Sequence, residues 1–147
     1  MRILGLDYGS KRIGVAVCDE LGITAQGLAT ITRKNRRQVL EEIARFIRTY
    51  AVERIVIGYP IKLDGTEGIQ CDKIKKFARL LESTFVLPVI KWDETLTTKE
   101  AEEILILSNV RREHRKGKID KLAAVLILQG YLDSQRRYEK DKNHPQI

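Results

Sequence analysis

Only two cysteines, Cys18 and Cys71, occur in 147 residues, and neither has the spacing of a metal-ligand set or a disulfide framework. Cys18 falls in an apolar, strand-like run, so a buried reduced thiol is expected there. Long hydrophobic runs are also lacking. None approaches the ~20 residues that a membrane-spanning helix needs. The N-terminus enters a strand pattern directly, with nothing that reads as a signal peptide. The expectation is a cytoplasmic protein without a membrane partner. Histidine is scarce as well: His114 and His144 both lie in polar segments. Acidic residues are the minority charge, with 20 Asp and Glu against 27 Lys and Arg, a formal +7 and a pI near 9.5. That balance favours a polyanionic partner, because neutralising phosphates releases condensed counterions. A positive surface can also serve solubility alone. What is present, 43% hydrophobic and 32% charged residues, suits one soluble domain with a core of its own.

The apolar pattern changes period along the chain. Ile3-Leu4-Gly5-Leu6 is a short strand ending at Asp7 and bounded by Gly9-Ser10; Ile13 to Cys18 resumes β character, and Ile23 to Ile31 supplies a weaker third strand. Such brief turns imply antiparallel neighbours. From near Asn35, Val39, Leu40, Ile43, Ala44, Phe46 and Ile47 recur at helical spacing. Ile55 to Ile57 is a buried strand, Pro60 to Gly68 a mobile loop, Ile69 to Thr84 a second helix, and Pro88 to Trp92 a fifth strand. Thr97 or Thr98 can cap a helix carrying Ala101, Ile104, Leu105 and Leu107. Residues 111–118 read as a basic, polar connection, and Lys118 to about Tyr138 as a largely buried final helix. The expected fold is α/β: a five-stranded mixed sheet, an antiparallel meander of three strands followed by βα units, with helices on both faces. One domain covers 1–138, and 139–147 is a charged C-terminal tail expected to fray.

Three acidic positions have unusual settings. Asp7 ends the first apolar strand beside a glycine turn. Asp93 and Glu94 end the fifth strand, and Asp120 opens the last helix. Carboxylates at the edges of apolar elements are costly to bury unless something positive compensates them. Asp120 alone is equally well explained as a complement to its helix dipole. Taken together, three carboxylates from distant segments suit a hard cation such as Mg²⁺. Two such ions would activate a water and stabilise a leaving oxygen in phosphodiester hydrolysis, with no Ser, Cys or His nucleophile. Adjacent Asp93 and Glu94 point to opposite faces of a strand, so only one can join the set.

The run from Leu4 to Ala16, with Asp7-Tyr8-Gly9-Ser10-Lys11-Arg12 at its centre, resembles the opening motif of the YqgF-type family. Ile57-Gly58-Tyr59-Pro60 followed by Asp64-Gly65-Thr66 and Gly68 resembles its central loop. Asp93-Glu94-Thr95-Leu96-Thr97-Thr98 is similar to its Asp-Glu-Arg-Leu-Thr motif, and Lys118-Ile119-Asp120-Lys121-Leu122-Ala123-Ala124 to its closing one. Together these span nearly the whole chain. Members are described as Holliday-junction resolvases and as pre-16S rRNA nucleases. The resemblance implies an RNase H-like fold and a catalytic, metal-holding set of Asp7, Glu94 and Asp120, with Mg²⁺ or Mn²⁺ as cofactor. It thereby selects Glu94 over Asp93. Thr95 departs from the family, which usually has Arg there; if that arginine contacts substrate phosphate, this chain must use Lys11, Arg12 or another base, or bind more weakly.

Arg33-Lys34-Asn35-Arg36-Arg37 and residues 111–118 are the densest basic stretches. A charge run is often only a solvated face. Because the second leads to Asp120, Arg111, Arg112, Arg115, Lys116 and Lys118 join Lys11 and Arg12 as expected nucleic-acid contacts. Tyr8 and Trp92 are expected to pack in the core rather than to stack a base. The leading functional expectation is a metal-dependent endonuclease processing an rRNA precursor. The same chemistry on branched DNA, by a two-fold dimer, is the first alternative, so monomer and homodimer both stay open. A non-catalytic nucleic-acid-binding module is the alternative of another class. An actin-like ATPase, which closes two such domains round a nucleotide, is excluded by length.

Overall fold

The computed structural model describes residues 1–60, 67–93, 103–104 and 112–143, with side chains in the last helix from 118 to 139. Strands β1 (Arg2–Tyr8), β2 (Arg12–Cys18) and β3 (Ala25–Thr32) come first. Helix α1 (Arg36–Tyr50), strand β4 (Val52–Tyr59), helix α2 (Ile69–Phe85), strand β5 (Val89–Asp93) and helix α3 (Arg112–Asn143) follow. The five strands form one sheet in the order β3-β2-β1-β4-β5. β2 pairs antiparallel with β1 and β3, while β1–β4 and β4–β5 are parallel. Tight turns at Gly9–Arg12 and Asp19–Thr24, each closed by a backbone hydrogen bond, allow the meander; the parallel pairs need the crossovers through α1 and α2.

Strand alternation divides the core in two. Leu4, Leu6, Ile13, Val15, Ile55 and Ile57 pack against Val39 and Ile43 of α1 and Ile74, Phe77 and Leu81 of α2. The opposite residues, Ile3, Ala16, Cys18 and Val56, pack against Ala124, Ile127, Leu128, Tyr131 and Leu132 of α3. Helices therefore cover both faces, as the sequence pattern implies. α1 begins where expected: the Asn35 side chain accepts from the Gln38 N–H at 2.8 Å. Cys18 is buried and unbridged, its sulfur accepting from the Ile3 N–H at 3.1 Å.

Two expectations need correction. The basic stretch before Asp120 is not an irregular connection, since α3 is already helical from Arg112. Arg, Glu and Lys are good helix formers, and only Gly117 there is a poor one. Without an apolar stripe, that propensity left no periodic signal. The helix also continues past Tyr138 to Asn143, into the segment expected to fray. Most of the Pro60–Gly68 loop and of the helix expected after Thr97 lies outside the described residues. Within them, Glu103 and Ile104 are helical.

Candidate active site

Asp7 is the next-to-last residue of β1 and is 8% exposed. Its cross-strand partner on β2 is Gly14. Paired residues share a face of the sheet, and odd-numbered β1 positions such as Ile3 lie on the α3 side. Asp7 is therefore presented toward α3. The approach of that helix is very close. A Cβ added at Gly14 would lie 1.8 Å from the Asp120 carbonyl oxygen, and one at Gly5 2.8 Å from Leu128 Cβ. Glycine is thus required at Gly14, because any side chain would push the helix off the sheet. The outcome is that Asp120 sits over the residue directly beside Asp7.

Arg12, two positions before Gly14, donates from Nε to Asp120 Oδ2 at 2.7 Å. Both side chains are partly shielded, at 31% and 17% exposure, which strengthens the attraction relative to a fully solvated pair. Arg12 is therefore held at this end of the sheet by a carboxylate. Its neighbour Lys11 is exposed, and its carbonyl accepts from the Arg33 N–H at 2.9 Å, pinning the Gly9–Arg12 turn.

Strand β5 enters the same end of the sheet. Ile90 and Trp92 face α3, and Trp92 lies edge-on to Tyr131 with ring centroids 5.8 Å apart. Val89 packs with the α1–α2 core, and the Lys91 ammonium lies 5.7 Å from the centre of the Tyr59 ring. Asp93 pairs with Tyr59 and falls on that second face, away from Asp7. Glu94 lies outside the described residues, as does Arg111. Arg112, Arg115 and Lys116 lie in α3, on the stretch described by backbone alone, and Lys118 is exposed. Tyr8 stacks on Phe77 at 4.3 Å, so it and Trp92 pack against neighbouring rings as expected. Arg33 was not among the expected site residues. Its guanidinium donates to Gly9 O at 2.7 Å and to Tyr8 Oη at 2.9 Å, fixing the turn after Asp7 from the opposite face. A bare charge run in the sequence gave no hint of that role.

A five-stranded mixed sheet of this order, with helices on both faces, is the RNase H-like fold. Solved structures share this fold. RuvC from Thermus thermophilus superposes with a TM-score of 0.55 at 14% identity, covering 93% of this chain and 97% of that one. The yeast mitochondrial Holliday junction resolvase Ydc2 reaches 0.59 at 11% identity, over 96% and 81%. The chain belongs to the RuvX family, described as Holliday junction resolvase, whose model matches residues 1–134. Relatives named "Putative pre-16S rRNA nuclease" include one from Syntrophus aciditrophicus, 64% identical over 143 residues and covering 96% of this chain and 95% of its own. Another, from Bacillus subtilis, is 48% identical over 136 residues, covering 91% and 99%.

Proposed function

We propose that this chain is a divalent-metal-dependent endonuclease that hydrolyses phosphodiester bonds in structured nucleic acid, with a 16S rRNA precursor as its substrate. The observation that carries the reading is the contact of α3 with Gly14, which brings Asp120 beside the buried Asp7. Arg12 already offsets part of the charge of Asp120, and a buried carboxylate such as Asp7 is further favoured by positive charge at this end of the sheet. The hard oxygen donors of the two carboxylates suit Mg²⁺ or Mn²⁺. Glu94 is the third member we assign. Asp93 belongs to the face away from Asp7, and Glu94 is the member that the motif resemblance names. A pair of divalent ions held by these three residues would supply an activated water and neutralise charge on the leaving oxygen.

The chain's own residues then have definite tasks. Asp7, fixed by the central strand, and Asp120, fixed by the helix docked on Gly14, hold the scissile phosphate's counter-charge in place. Arg12, held by Asp120, lies where it can meet the same phosphate and takes over the role that Thr95 cannot fill. Lys11, Lys118 and the basic residues Arg111, Arg112, Arg115 and Lys116 lead the backbone toward them. The names of the close relatives favour RNA, and the family description favours four-way DNA junctions.

One assay separates these readings. The protein is incubated with Mg²⁺ or Mn²⁺ and either a pre-16S rRNA fragment or a four-way junction, beside Asp7→Asn. Specific cleavage of the RNA, reduced at least about a thousandfold in the variant, is the expected result. Symmetric cutting of the junction instead would transfer the activity to DNA. Tight binding without cleavage of either would make the chain a binding module.

A further inference from the structure

The strongest unassigned feature lies on the other face of the sheet from Asp7. A cavity of about 470 Å³ opens between the start of α1 and the outer side of α2. Five cationic side chains line it, Arg33, Lys34, Arg36, Lys73 and Lys76, and no carboxylate does so among the described residues. Lys34, Arg36, Lys73 and Lys76 are exposed and have no ion-pair partner among the described residues. Arg33 is the fixed member, held by Gly9 O, Ser10 O and Tyr8 Oη, with its guanidinium 4.6 Å from the centre of the Tyr8 ring. The floor is apolar and aromatic, with Phe77 stacked against Tyr8. Five like charges around one hollow repel one another, and an anion seated among them removes that cost.

We propose that this cavity binds a phosphate group of the nucleic-acid strand whose neighbouring phosphate lies at Asp7 and Asp120. The substrate assignment rests on the nuclease reading; the phosphate site itself does not. Position favours a strand as the source over a free nucleotide. Asp7 and Tyr8 are consecutive, so the carboxylates and the cationic cavity flank the same end of β1, one on each face. A strand passing over the Gly9–Arg12 turn reaches both. Lys73 and Lys76, one turn apart on α2, present point charges, while the fixed Arg33 holds the wall.

The test uses metal-free protein in chelator, so that nothing is cut. Single-stranded RNA, inorganic phosphate and AMP are titrated separately while backbone amide NMR signals are followed. RNA is expected to shift the signals of Lys34, Arg36, Lys73 and Phe77. The exposed double variant Lys73→Gln/Lys76→Gln should weaken RNA binding about tenfold and lower the slope of log affinity against log salt by about 1.4. Arg45→Gln/Arg48→Gln removes the same charge from another part of α1 and should change the slope little. Equal losses in both double variants would reduce the effect to net charge and overturn the site. Saturable shifts with AMP but none with RNA would overturn the strand and leave a mononucleotide pocket. Unmoved signals with all three ligands would remove the site altogether. Since binding is read without cleavage, failure of the nuclease assay leaves this result interpretable.

Discussion

A single hydrogen atom at Gly14 decides where Asp120 stands. Gly14→Ala would set a methyl group 1.8 Å from the Asp120 carbonyl oxygen, an atom of backbone that cannot rotate away. We expect a stability loss of about 3 kcal/mol and a loss of cleavage larger than stability explains, because the helix must lift from Asp7. Gly22→Ala is the control: its φ of +69° is unfavourable for alanine, but nothing lies within 4 Å of the new Cβ. It should cost about 1 kcal/mol and leave cleavage unchanged. Chemical denaturation and initial rates on the same preparations check both. At this scale Asp7 was legible, because a carboxylate that ends an apolar strand has few innocent explanations. The Arg12–Asp120 pair was not, since 108 residues separate its partners and no local pattern links them.

Helices and strands follow local rules unevenly. All five strands are readable from apolar runs and turn residues, although β4 extends to Val52–Tyr59, beyond the Ile55–Ile57 core of its signal. The start of α3 was hidden because a charged surface carries no period. α2 ends with an anomaly of its own. Val86 takes the left-handed conformation at φ 54°, where its N–H donates to Glu82 O at 2.9 Å. A β-branched residue is poorly suited to that region, and this one is 85% exposed. Val86→Gly should therefore stabilise the protein by about 1 kcal/mol, raising the melting temperature by about 3 °C without touching activity. A calorimetric scan showing a decrease would mean that Val86 packs in a way the exposed surface does not display.

The whole molecule combines a formal +7 charge with a five-stranded mixed sheet, both legible in composition and apolar period, whereas its RNase H-like character is what the motif resemblance implies. The motif resemblance names Glu94 over Asp93; that Asp93 lies on the face away from Asp7 follows from the register of β5 against β4, which no sequence pattern specifies. If the basic stretch 111–118 guides the backbone, replacing Arg111, Arg112, Arg115 and Lys116 with Gln should lower the salt slope of nucleic-acid binding by about 3. Anisotropy titrations at several salt concentrations would show it; an unaltered slope would leave these residues as solubilising charge.

Among the described residues, α3 alone covers the face that holds Asp7, and it contributes Asp120. Chain order thereby becomes a clock. While the protein is being synthesised, Asp7 and its strand emerge early and Asp120 late, so the two cannot meet until the last helix has left the ribosome and docked. If the proposed nuclease reading holds, a growing chain would be inert toward surrounding RNA until α3 has docked.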